Sequence, residues 1–127
     1  MSKIFRNYSI KPEYRWIAVD LDETLAMPYD GEFDMTKIGK PVPLMVDRVK
    51  MWLDDCETVK ILTARLGPRT LEVYGVTKEE VTKAIQDWTE EHIGERLEVT
   101  CEKDAGMIEL WDDRAIQVEP NTGRRLI

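Results

Sequence analysis

Four short polar strings stand out in the chain, each following directly on a run of apolar residues: Asp20-Leu-Asp22-Glu-Thr24, Thr63-Ala-Arg65, Cys101-Glu-Lys103-Asp104 and Asp112-Asp113. Together they supply carboxylates, a hydroxyl and an ammonium. Carboxylates in that number can converge on a cation, and the rest of the composition narrows which one. Cys56 and Cys101 stand far apart with no CxxC spacing, and His92 is the single histidine, so neither a zinc cluster nor a disulfide framework is available. A bound metal should therefore be a hard cation held by oxygen, with Mg²⁺ the natural candidate. Taken singly, an Asp after a strand is usually a turn former and a Lys usually a solvated side chain. Four apolar runs that each deliver such a group are a different matter.

The strings can meet only if the runs before them lie side by side. Trp16-Ile-Ala-Val-Asp20 is apolar without alternation, as in a parallel strand buried on both faces. Met45, Val46, Val49, Trp52, Leu53 and Cys56 follow a helical stripe with Pro43 suited to its first turn. Thr58 to Leu62 predicts a second strand, and Ala64-Arg-Leu-Gly-Pro68 a loop running into a new segment. Thr77-Lys-Glu-Glu80 matches a capping box, followed by Val81, Ala84, Ile85, Trp88 and His92 at helical spacing and by Gly94 as terminator. Leu97 to Val99, Met107 to Trp111 and Ala115 to Val118 read as further short strands. The succession β-α-β-α-β-β-β is that of a wound α/β sheet. Ligands of such sheets bind beyond the carboxyl ends of the parallel strands, where all four strings fall.

Length and charge set the remaining bounds. The 127 residues fit one domain, 1–127. Pro28, Gly31, Gly39 and Pro41, with Asp30-Gly31 placed as in a hairpin turn, predict a small flap over 26–42 instead of a helix. Residues 1–15 carry Lys3, Arg6, Lys11 and Arg15 against Glu13 and form a basic N-terminal arm. The chain as a whole has 25 acidic against 18 basic residues, a net charge of −7. That balance opposes a stable nucleic-acid partner, which would need a basic face. No apolar stretch is long enough to span a bilayer and the first residues lack the apolar region of a signal peptide, so the expected location is cytoplasmic, away from membranes.

The ordered strings resemble the signature of the haloacid-dehalogenase-like (HAD) phosphohydrolases: Asp-x-Asp-x-Thr after the first strand, a Thr or Ser closing the second, a later Lys, and an acidic pair after the fourth. The resemblance covers about residues 16–120. It implies a three-layer Rossmann-like wound parallel sheet with a small flap after the first strand. It also implies a Mg²⁺-dependent phosphatase that works through an aspartyl-phosphate. In that scheme Asp20 is the nucleophile and Asp22 the general acid and base. Thr63 and Lys103 bind and neutralise the phosphoryl group. The metal is held by Asp20, the main-chain carbonyl of Asp22, and Asp113 or Asp112, with Asp113 slightly favoured as the direct ligand. Arg65 is a further candidate for a bidentate phosphate contact, against the alternative of a solvent-facing loop arginine. Thr24 would fix its own loop by a side-chain-to-backbone bond, and Asp104 would orient or pair with Lys103. His92 and the four tryptophans read as packing residues.

Between Thr24 and Thr63 lie 38 positions, and between Thr63 and Lys103 lie 39, much of both taken by predicted helices, so no cap domain is expected. By family analogy, capless members act on large or protruding phosphates. The spacing is also similar to that of the 3′-phosphatase half of polynucleotide kinase-phosphatases, although no P-loop is present. The expected substrate is a phosphorylated small molecule or a nucleic-acid end. Two other classes compete: a receiver-like signalling domain, whose acidic pair would come after the first strand, and a non-catalytic phosphate-binding or regulatory protein, which would be expected to lack a core residue.

Overall fold

A four-residue apolar run can be buried at every position only when strands flank it and both its faces are covered. Trp16–Val19, the first strand (β1), is buried throughout. The computed structural model describes residues 10–126. It places β1 inside a four-stranded, all-parallel sheet with β2 (Val59–Leu62), β3 (Glu98–Thr100) and β4 (Met107–Trp111), in the order β3-β2-β1-β4. Val19 stands beside Ile61 on one side and Trp111 on the other. The carboxyl ends of the two neighbouring strands are thus level with that of β1.

Among the described residues three α-helices accompany the sheet: α1 (Pro43–Asp54), α2 (Pro68–Tyr74) and α3 (Lys78–Ile93). α3 has the reciprocal Thr77/Glu80 capping box and ends at Gly94 in the left-handed conformation, as its sequence predicts. α1 stops at Asp54, short of the expected Cys56. Cys56 is exposed with φ of 63°, and the Glu57 N–H turns back to the Trp52 carbonyl. α2 lies in the segment left open by the sequence. Its Pro68 at the first turn and left-handed Gly75 after the last mark it, but seven residues are too few to show a stripe.

The chain steps in one direction from β1 to β2 to β3, so right-handed crossovers put the helices on one face, and α1 and α3 touch each other there. Met45, Val46 and Val49 of α1 join Val81, Ile85 and Trp88 of α3 over Ile17, Val19, Val59, Ile61 and Val99. The alternate strand positions point the other way. On that second face the Lys60 ammonium lies 4.7 Å from the centre of the Trp16 ring, and Trp16 Nε1 donates to Asp104 at 2.8 Å. Of the expected wound α/β sheet, the described residues show the all-parallel sheet with its helices packed on one face. The return from β3 to β4 uses only residues 101–106, which leaves no length for a second-face helix. The expected strand over Ala115–Val118 is also absent. Val118 makes one antiparallel bridge to Arg125 around a turn in which Asn121 and Gly123 have positive φ, so β4 remains an edge strand.

The flap is a loop closed at its base by the Ala26–Pro41 bridge and by the Met27 N–H donating to the Lys40 carbonyl. Trp88 Nε1 on α3 donates to the Gly39 carbonyl at 2.9 Å and pins the flap to the helical layer. His92 packs beside Trp88, with ring centres 4.7 Å apart, as its place on the stripe suggests. Of the basic arm, residues 1–9 lie outside the described residues. The remainder forms a 3-10 turn, Pro12–Tyr14, and the Arg15 Nε donates to the Ile10 carbonyl. No described helix is long and apolar enough to cross a membrane.

Gly106 lets the return link meet β1, since its carbonyl accepts from the Trp16 N–H while a Cβ there would collide with the Tyr14 carbonyl oxygen. Gly106→Ala should therefore lower stability by roughly 2–3 kcal/mol, read as a shift of the urea midpoint at unchanged slope.

Candidate active site

The first polar string begins where β1 meets β4. The Asp20 N–H donates to the Trp111 carbonyl at 2.9 Å, which carries the ladder one residue past the strand and sets Asp20 beside the acidic pair. Beyond it the chain folds into a tight turn. The N–H groups of Leu25 and Ala26 both reach the Leu21 carbonyl, and Glu23 takes φ of 65°, a left-handed conformation uncommon for a side chain of its kind. Leu21 and Leu25 are buried under this turn, so it is anchored by apolar packing.

Asp20, Asp112 and Asp113 each bring one carboxylate oxygen within 4.8 Å of the others. Thr24 ties the group together: its hydroxyl accepts from the Asp113 N–H at 3.0 Å and lies 3.3 Å from carboxylate oxygens of both Asp20 and Asp113. Having one proton, it donates to one of them at a time. The sequence suggested only a local bond for Thr24. Instead it joins the first and last strings. Half-burial and the neighbouring Asp112 charge, helped by a hydrogen bond and charge from Asp113, raise the Asp20 carboxyl from the ordinary 3.8 to about 7, against a Leu21 N–H that favours its ionised form.

Asp22 does not join this trio through its side chain. Arg65 grips it bidentately, Nη2 to Oδ1 at 2.7 Å and Nε to Oδ2 at 2.9 Å. The remaining nitrogen of Arg65, Nη1, donates to the flap carbonyls of Met35 and Lys37 at 3.0 and 2.8 Å. With a side chain only 4% exposed, Arg65 fits neither expectation for it, free phosphate contact or solvent-facing residue. The turn Ala64–Leu66 aims the side chain at Asp22 and the flap. Thr63 caps that turn by accepting from the Arg65 N–H at 3.1 Å, so its hydroxyl proton is free to donate elsewhere.

A cavity of about 490 Å³ opens at this end of the sheet, lined by Asp20, Asp22, Thr63, Lys103, Asp112 and Arg114 among others. It gathers at least one residue from every string. Thr63 is 3% exposed and marks its floor, whereas Lys103 and Arg114 are exposed at its rim. Asp104 turns away from Lys103 and instead accepts from Trp16 Nε1 and the Gly106 N–H, so the expected Lys103–Asp104 pairing is not formed. Arg114 is absent from the sequence expectations. It follows Asp113 directly and could have been noticed only by asking what comes after the acidic pair.

No protein-family model, curated protein or solved structure matches this chain. The donor set itself fits a hard divalent cation. Three carboxylates stand close enough to share one ion, nothing but oxygen belongs to the group, and a cation would relieve the repulsion that, after burial, helps to raise Asp20. Such a site can hold a metal against an anion while Thr63, Lys103 and Arg114 face the same cavity.

Two outcomes follow. In chelator, the contribution of Asp20 to stability should fall as pH rises from about 4 to 7, because over that range folded Asp20 keeps a proton that the unfolded chain has released. Asp20→Asn should then raise the melting temperature at pH 8 and leave it nearly unchanged at pH 4, and thermal scans at the two pH values check this. Arg65→Lys, which cannot form the fork, should cost on the order of 2 kcal/mol for lost charged hydrogen bonds. Limited proteolysis should then cut faster within 27–40.

Proposed function

We propose that this chain is a Mg²⁺-dependent phosphomonoester hydrolase of the HAD type that acts in the cytoplasm through an aspartyl-phosphate on a small-molecule, nucleotide or polynucleotide phosphate. The observation that carries the reading is the cluster of Asp20, Asp112 and Asp113 at the carboxyl end of a parallel sheet, where Asp20 and Asp112 line one cavity together with Thr63 and Lys103. Asp20, the main-chain carbonyl of Asp22, and Asp112 or Asp113 would hold the Mg²⁺, which supplies screening of negative charge between a carboxylate and a phosphate dianion.

The chain's own groups account for the rest of the chemistry. Thr63 donates its free hydroxyl proton to a phosphoryl oxygen at the cavity floor, and Lys103 reaches in from the rim to offset the charge of the same group. In the first step an Asp20 carboxylate oxygen attacks phosphorus in line. The bond from phosphorus to the leaving oxygen breaks, and that oxygen takes a proton from Asp22. In the second step water attacks the aspartyl-phosphate and gives a proton to Asp22, while the bond between phosphorus and Asp20 breaks. Inorganic phosphate is released, and Asp20 as carboxylate and Asp22 with its proton return to the forms in which they began. The Arg65 fork holds Asp22 in one orientation throughout. The side chain remains 45% exposed, open to a leaving group or water.

The test is phosphate release from phenyl phosphate. Turnover should require Mg²⁺ and stop in chelator. Asp20→Asn should lower the rate by at least a factor of ~10³, in line with removal of a covalent nucleophile, with the circular dichroism spectrum unchanged. Chelator-resistant turnover removes the metal assignment, and a near-normal rate for Asp20→Asn removes Asp20 as nucleophile.

A further inference from the structure

The described arginines are almost all committed. Arg65 is bound to Asp22 and the flap, Arg96 to Asp87 and Glu90, Arg124 to Glu119, and Arg69 pairs with Glu72. Arg48 lies over the Trp111 ring, the Arg15 Nε reaches the Ile10 carbonyl, and Arg125 has a partner of its own. Arg114 is the exception. Its main-chain N–H donates to Asp112 Oδ1 at 2.7 Å, which fixes where the residue leaves β4. Among the described residues its guanidinium has no hydrogen bond, ion pair or ring contact. This unpaired guanidinium lines the same cavity as Asp20 and Thr63.

Depth separates its role from that of the phosphoryl contacts. Thr63 lies at the floor, and Asp20, whose carboxylate would attack phosphorus, is half-buried, whereas Arg114 stands exposed at the rim just beyond the acidic pair. A phosphoryl group seated against Asp20 and Thr63 leaves the rim to whatever the rest of the substrate carries. The planar fork of arginine suits a second phosphate or carboxylate better than a point charge does.

We propose that Arg114 is a specificity-determining residue that binds a second anionic group of the substrate, so that the preferred substrates are phosphomonoesters carrying another phosphate close to the scissile one. This rests on the phosphatase reading of the cavity. Two sources offer that chemistry, a small bisphosphorylated metabolite and a phosphorylated nucleic-acid end with its neighbouring phosphodiester.

The experiment compares wild type, Arg114→Ala and Arg114→Lys in Mg²⁺ on three compounds. These are phenyl phosphate, a nucleoside 3′,5′-bisphosphate and a 3′-phosphorylated trinucleotide. Release of phosphate is followed by initial rates, and binding of each compound by calorimetry with the Asp20→Asn change added to every chain to stop turnover. Wild type should prefer at least one doubly anionic compound over phenyl phosphate in kcat/KM and in affinity. That preference should fall at least tenfold in Arg114→Ala, mainly through KM, and return in part with Arg114→Lys. The compound whose preference collapses identifies the source. An unchanged preference, whether the variant weakens every compound alike or none, overturns the assignment. So does a wild type that binds the doubly anionic compounds no better than phenyl phosphate. If affinity depends on Arg114 as expected but no compound is hydrolysed by wild type, the anion site stands and the phosphatase reading falls.

Discussion

The pairing of β1 with β4 is the constraint on which the rest of the molecule depends. It joins residues from opposite ends of the chain, with Val19 beside Trp111 and the Asp20 N–H on the Trp111 carbonyl. At the other end of the same ladder the Trp16 N–H meets the Gly106 carbonyl. Three like charges are thereby brought together, which no local interaction in any of the polar strings would do. The force that holds them is apolar. Ile17 and Val19 are buried on the helical face, and Trp111 packs against Trp52 with ring centres 5.1 Å apart. Each such side chain contributes roughly 1.5–3 kcal/mol when fully buried. Carboxylate repulsion in a site open to water is weaker than several such burials together, so the fold can hold an acidic cluster that would otherwise drive the two strand ends apart.

Most of the positioning frame is legible in the sequence because its signals are local and redundant. β1 is an unbroken apolar run, and α3 carries a cap, a stripe and a stop. What escapes are features decided by direction or by partner. Arg65 is easy to locate two residues after Thr63, but the 3-10 turn that begins at Ala64 decides which way its side chain leaves the chain, and it leaves toward Asp22. Ala115 to Val118 has strand-like residues, yet a strand needs a neighbour, and the positive-φ turn at Asn121 and Gly123 folds the segment onto Arg125 instead. The placement of the described helices on one face follows from the shortness of 101–106, the return from β3 to β4.

The charge balance also divides differently from its total. Among the described residues Asp20, Asp22 and Asp112 line the cavity and Asp113 stands beside them. Others are held in surface pairs, such as Asp87 with Lys83 and Arg96, or Glu119 with Arg124, where the cationic partners draw the carboxyls below their usual range. Exposed pairs of this kind contribute little to stability. What they do is occupy several of the cations, while Lys103 and Arg114 put positive charge at the cavity rim. An acidic protein can in this way present a locally mixed field to an incoming anion.

The Arg65 guanidinium has a mechanical consequence. One planar group holds the Asp22 carboxylate with one edge and the flap carbonyls of Met35 and Lys37 with the other. Flap position and carboxylate orientation are therefore one degree of freedom, not two. Lifting the flap either drags the guanidinium off Asp22 or strips its Nη1 of acceptors in a buried setting, and both are unfavourable. The flap and the Asp22 carboxylate are thus tied to each other through a single side chain.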